Sequence, residues 1–122
     1  MNHVINIERV PEPDIRVFNV SEMVFDGIIA VIERPLKDSE DYSKLDDPAR
    51  EIVFRVMNLN GIKQITINTH SFSVEKGTAF NWKNLERKII PIIQQTLWPN
   101  KKHMVITRSA WIIDSSGRKI NI

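Results

Sequence analysis

The chain has 122 residues, 42% apolar and 26% charged, which fits one domain with its own core and excludes wholesale disorder. It contains no cysteine, which removes disulfides, thiolate nucleophiles, cysteine-ligated iron–sulfur clusters and cysteine zinc sites together. The net charge of +2 hides a split: residues 1–80 carry nine Lys or Arg against thirteen Asp or Glu, and residues 81–122 carry eight against two, so −4 is followed by +6.

Along the chain, residues 1–14 contain V-P-E-P-D, whose two prolines impose an extended approach and forbid helix. No signal-peptide pattern opens the sequence, and no run reaches the roughly 20 apolar residues of a membrane span, so a cytoplasmic protein is expected. Ile15 to Val20 reads as a strand. Gly27 to Glu33, G-I-I-A-V-I-E, reads as a second strand, apolar on both parities and expected to be covered on both faces. Pro35 to Leu45 is polar and reads as a surface connection. Asp47-Pro48 predicts a helix start with Asp47 as cap and Pro48 in the first turn; Ile52, Val53, Val56 and Met57 form its stripe, and Asn60-Gly61 ends it.

Gly61 to Leu97 is the unit around which the chain is organised. Ile65 and Ile67 alternate with polar neighbours, as do Phe72 and Val74, with Asn68 to His70 as the turn between two half-buried strands. Beyond Gly77 the period becomes helical: Asn81 is the predicted cap, and Leu85, Ile89, Ile92, Ile93 and Thr96 form one stripe, with Glu86 placed on another face. Pro91 should kink that helix or end its first half. Residues 103–122 read as a hairpin turning at D-S-S-G, anchored by Trp111, that extends the sheet or covers its open face. The predicted fold is α+β within one domain, 1–122: a two-layer sandwich, ββα–ββα, with an antiparallel-rich sheet, two helices on one face and a C-terminal β-hairpin.

No catalytic centre is legible. His3, His70 and His103 lack metal-ligand spacing, and the acidic run from Asp38 to Asp47 lacks a calcium-loop pattern. The four glycines are isolated, and no acidic residue is seen to interrupt a core-facing stripe. The expectation is no enzyme, no metal and no cofactor. The partner-contact candidates are Pro11, Glu12 and Pro13 in the proline segment, and Lys101, Lys102, Arg108 and Arg118 as a charged rim in the basic third. The alternative is a small nucleic-acid-binding protein using that basic third, with Trp82, Trp98 or Trp111 as stacking platforms, although burial of the tryptophans is favoured.

Several segments resemble the N-terminal domain of Nfu-type (NifU-like) iron–sulfur scaffold proteins. Glu8, Pro11, Pro13 and Phe18 match its opening T-E-x-T-P-N-P and short strand, with Glu12 where an Asn is usual. Asp47-Pro48 is similar to its Ser-Pro helix start, Gly61 to Ile65 and Ser71 to Lys76 to its paired strands, and Asn81-Trp82, Leu85 and Ile89 to its D-W-x-x-L-x-x-x-I. The resemblance covers residues 5–97 and leaves 98–122 as an extension. It implies a compact α+β domain accompanying iron–sulfur assembly through another protein. In relatives the cluster belongs to a separate C-x-x-C domain; with no cysteine here, cluster holding does not carry over.

Overall fold

The computed structural model describes residues 3–27, 29–100 and 103–122. Its strands are β1 (Val4–Arg9), β2 (Ile15–Val20), β3 (Ala30–Glu33), β4 (Ile62–Ile67), β5 (Ser71–Lys76), β6 (Val105–Ile113) and β7 (Lys119–Asn121). The helices are α1 (Glu40–Ser43), α2 (Ala49–Met57) and α3 (Trp82–Leu97), with a 3-10 turn at Leu36–Asp38. The strands form one sheet in the order β3-β4-β5-β2-β1-β6-β7, antiparallel throughout except where β6 lies parallel to β1.

Period-two patterning decides which side chains go inward. Ile5 and Ile7, Phe18, Ile32, Ile65 and Ile67, and Phe72 and Val74 face one side and are fully buried. Ile52, Val53 and Val56 of α2 and Leu85, Ile89 and Ile93 of α3 complete that core. The Phe18 and Phe72 rings stack at 5.3 Å on directly paired residues of β2 and β5. The opposite sheet face is polar: Asn6, Asn19, Thr107 and Ser109 lie across neighbouring strands there, and Asn6 Nδ2 donates to Thr107 Oγ1 at 2.8 Å. Two layers thus form, as the patterning predicts, and the C-terminal hairpin extends the sheet rather than covering its polar face.

Several local expectations are corrected. Residues 4–9 form a full strand rather than only an extended approach; Ile5 and Ile7 alternate with Asn6 and Glu8 in a period-two signal only a few residues long. The second strand spans only Ala30–Glu33 at the sheet edge, and its outward Val31 is exposed, so it is covered on one face. The polar connection contains α1, whose cap Ser39 accepts from the Tyr42 N–H at 3.1 Å. Asp47 caps nothing: Pro48 is the N-cap of α2, after a cis Asp47-Pro48 bond, and no side chain bonds the first turn. The Asp46 carbonyl takes the Arg50 N–H instead. Asn81 does cap α3, accepting from the Lys83 N–H at 2.7 Å, and that helix runs on through the exposed Pro91 to Leu97. Gly61 holds φ at 93° beneath the Phe80 ring, which a Cβ would meet at 2.4 Å, so two separate constraints require glycine there.

Phe72→Ala is expected to lower unfolding free energy by about 3–5 kcal/mol, since a ring packed on Phe18 leaves a cavity that backbone pairing prevents from closing. Urea denaturation checks this, and a loss under about 1 kcal/mol would place the ring outside the core.

Candidate interaction surface

The parallel pairing of β1 with β6 sets the geometry of one end of the sheet. The Val105 N–H donates to the His3 carbonyl at 2.8 Å. By the alternation of a parallel ladder, Ile5, Ile7 and Arg9 then turn their backbone groups toward β6. The next residues on that parity are Pro11 and Pro13, which have no N–H to give. The chain turns back through Glu12 and Ile15 into β2, so pairing with β1 stops at Arg9↔Ala110, while β6 runs on to Ile113. The space between the proline loop and β6 is a groove of about 250 Å³, lined by Arg9, Pro11, Pro13 and Arg16 on one side and Trp111 and Ile112 on the other. Trp82 Nε1 donates to the Pro13 carbonyl at 2.9 Å and fixes the loop against the start of α3.

Beneath the groove lies a cluster of charge. Glu86 of α3 is only 5% exposed and accepts from two arginines: Arg16 of β2, and Arg108 of β6 at 2.7 Å. Arg16 also lies over the Trp82 ring, 5.3 Å from its centroid. Burial, only partly offset by Glu86, pulls the Arg16 guanidinium below its ordinary value, and the nearby positive charges of Arg9 and Arg108 act the same way. Arg9 sits directly across from Arg16 on the neighbouring strand. Among the described residues no carboxylate pairs with Arg9. Two guanidinium groups thus share one carboxylate and a third, Arg9, stands beside Arg16, leaving the region attractive to an incoming acid. A second buried cation, Lys76, is satisfied locally by Asp14 at 2.8 Å.

Of the sequence candidates, Pro11, Glu12 and Pro13 all line the groove. Arg108 stands beside it, its side chain 60% exposed, but its charge is shared with Glu86 and is not a free rim charge. Arg118 is remote, in the turn before β7, where its Nε donates to Ser116 Oγ. There the Ser116 hydroxyl and backbone N–H groups hold the Asp114 carboxyl below its ordinary range. Lys101 and Lys102 lie outside the described residues. Trp82 and Trp98 are buried, their indole N–H groups donated to the Pro13 carbonyl and to Glu22, and they offer no face for stacking. Trp111 is half-buried, donates to Glu8 Oε2 at 2.7 Å and carries the Lys119 ammonium 4.7 Å from its ring centroid. His70 is exposed in the β4–β5 turn, and His3 packs on Trp98 at 4.7 Å.

Sequence reasoning missed Arg9, Arg16 and Glu86. A signal for Glu86 was present: it lies four residues after Trp82 and three before Ile89, on the face those residues bury, so an acidic residue does interrupt the core-facing stripe. Nothing in the local sequence reveals which cations meet it, since Arg16 and Arg108 are 70 and 22 residues away along the chain.

The family model for the scaffold protein Nfu/NifU N terminal matches residues 5–100. The chain belongs to that family. Among solved structures, this Nfu/NifU N-terminal chain is similar to the crystal structure of protein SAV1430 from Staphylococcus aureus, with 21% identity and a TM-score of 0.55 over 76% of this chain and 99% of that one. That likeness is one of fold. No match was found among curated proteins. The family match takes in the proline loop, the arginines of β1 and β2 and Glu86, and ends before β6 and β7. Among the described residues, no helix is long and apolar enough to cross a membrane.

Glu86→Ala is expected to cost about 3 kcal/mol, because it leaves the poorly exposed Arg16 guanidinium without its counter-charge. Amide exchange should show the loss concentrated at β6, where Arg108 is released, rather than in the β4–β5 hairpin. Equal loosening of both would mean that the carboxylate does not tie the C-terminal hairpin to α3.

Proposed function

We propose that this Nfu/NifU N-terminal chain is a non-enzymatic adaptor for iron–sulfur cluster assembly in the cytoplasm, which docks a protein partner and does not ligate the cluster itself. Family membership supports the link to scaffold proteins. The observation that carries the docking site is the groove between the proline loop and β6, where Arg9 has no carboxylate partner among the described residues. Pro11, Glu12 and Pro13 form its rigid outer wall, Trp111 and Ile112 its apolar wall, and Arg9 and Arg16 its positive floor. Two prolines fix that wall before binding, so little loop entropy is lost when a partner arrives. With no cysteine in its 122 residues, the chain has no thiolate for iron, and its part is to hold and orient another protein.

Two measurements test this. Anaerobic reconstitution with iron and sulfide is expected to leave the purified chain without stoichiometric cluster absorbance; a cluster bound by the chain alone would defeat the adaptor reading. Calorimetric titration against purified iron–sulfur scaffold and client proteins is expected to show binding that Arg9→Glu weakens by about tenfold, the effect of reversing one interfacial charge. Absence of binding to every such protein, or binding indifferent to both Arg9→Glu and the Pro11→Ala/Pro13→Ala pair, would overturn it.

A further inference from the structure

The sheet has two edges, and they are treated differently. At the β3 edge the strand is four residues long, the outward Val31 N–H is donated to the Asp41 carboxylate at 3.1 Å, and a proline follows at position 35. Those are the devices by which sheets prevent unwanted pairing. At the other end β6 spans nine residues, but β7 pairs only with Trp111 to Ile113, and the Ile122 N–H closes on the Ala110 carbonyl. Because Val105 faces β1, the backbone groups of Ile106 and Arg108 point away from it. Among the described residues no strand pairs with them.

None of the usual protections covers this stretch. Val105 to Ser109 contains no proline and no lysine, and its register with β1 is continuous, without a bulge. Its one charged side chain, Arg108, reaches to Glu86 on α3. Val105 and Ile106 are 44% and 41% exposed, and Ile112 and Ile120, directly paired on the hairpin, are exposed as well. An edge of unpaired N–H and C=O groups flanked by exposed branched apolar side chains is a template for another strand.

We propose that the outer edge of β6, Val105 to Ser109, is a strand-addition site for an extended segment of a partner protein carrying alternating apolar and acidic side chains. The added strand takes the N–H and C=O of Ile106 and Arg108 into a ladder, sets its apolar side chains on the face of Val105, and brings its carboxylates to the opposite face, beside Arg108, which has only Glu86 as its counter-charge among the described residues. The charge of the basic third chooses the occupant. Pairing β6 with β6 of a second copy would bring together two segments that each carry +6 over residues 81–122, whereas an acidic strand is attracted to that field. The site deepens the adaptor reading and rests on the chain being a protein-interaction module. It lies on the opposite edge of β6 from the proline groove, so the two surfaces are separable by mutation.

The probe is a fluorescent synthetic peptide of about ten residues alternating valine and glutamate, long enough to span the edge. On titration, the Ile106 and Arg108 amides should become protected from exchange while the already paired Val105 and Thr107 amides stay as they were. A valine–lysine peptide should not bind. Ile106→Pro deletes one outward N–H without touching the β1 ladder, and should weaken the peptide about tenfold by leaving a peptide carbonyl unpaired. Unchanged protection at Val105 and Thr107 confirms that this variant still folds. Methylating alternate peptide nitrogens needs no protein variant: methylation on the pairing edge should abolish binding, and methylation on the opposite edge should not. Three outcomes overturn the proposal: unprotected Ile106 and Arg108 amides at saturating peptide, equal binding of the two methylated peptides, or a chain that dimerises alone with those amides already protected. Should the edge fail while Arg9→Glu still weakens a protein partner, only the strand-addition site falls. Should the peptide bind while no iron–sulfur protein does, the edge stands and the assignment of its partners is what fails.

Discussion

Pro11 and Pro13 have no N–H, and they fall at the two positions where β1, if it continued, would have to donate to β6. The ladder ends at Arg9↔Ala110, where the chain turns back through Glu12 and Ile15 into β2, and without those N–H groups the loop cannot resume pairing with β6, which runs on to Ile113. The strands therefore separate at one end of the sheet, and the gap becomes the groove in which the proline loop, Arg9, Arg16 and Trp111 meet. The same residues that keep pairing from resuming also stiffen the loop, and Trp82 ties it to α3 through the Pro13 carbonyl. Shape and rigidity at this end share one chemical origin.

Glu86 is the second constraint. Taking a carboxylate out of water costs several kcal/mol unless its partners are well placed, and here Arg16 and Arg108 approach from different strands. The carboxylate joins α3 and β2, both within the family match, to β6, which lies beyond it. It thereby fixes the register in which the hairpin meets the rest of the domain, and the polar ladder on the opposite face does the same through Asn6, Thr107 and Ser109. A hairpin added to an existing sheet edge needs specificity of this kind, because backbone pairing alone tolerates slippage. The hairpin covers the edge of β1 and in doing so presents an edge of its own.

The sequence, read alone, determined the layers. Ile65, Phe72 and Val74 at period two, and Leu85, Ile89 and Ile93 at helical period, leave few alternatives to a sheet with helices on one face, because each stripe must find another to cover it. The Asn81 cap and the positive φ of Gly61 were legible for the same reason, although α2 ends earlier, at Met57 with Asn58 as its C-cap, and Gly61 serves the turn into β4. The family resemblance was legible from the order of short motifs, none of which depends on long-range contact.

Only the tertiary structure decided what sits beside what. The Asp47-Pro48 cap failed because the chain reaches α2 through a geometry in which Asp47 does not meet the first-turn N–H groups, and the segment's own sequence does not encode that approach. The two-sided strand failed because helices cover only one face of the sheet, and the number of layers a domain builds is not a property of any one strand. The interaction surface was half legible. The prolines announced themselves by composition, but Arg9, Arg16, Glu86 and Arg108 come from four different elements, and their meeting is set by pairing register. Local patterning carries periodicity and hydropathy over a few residues. It carries no information about which distant charge will close on a buried carboxylate, or which strand will be left with an unpaired edge.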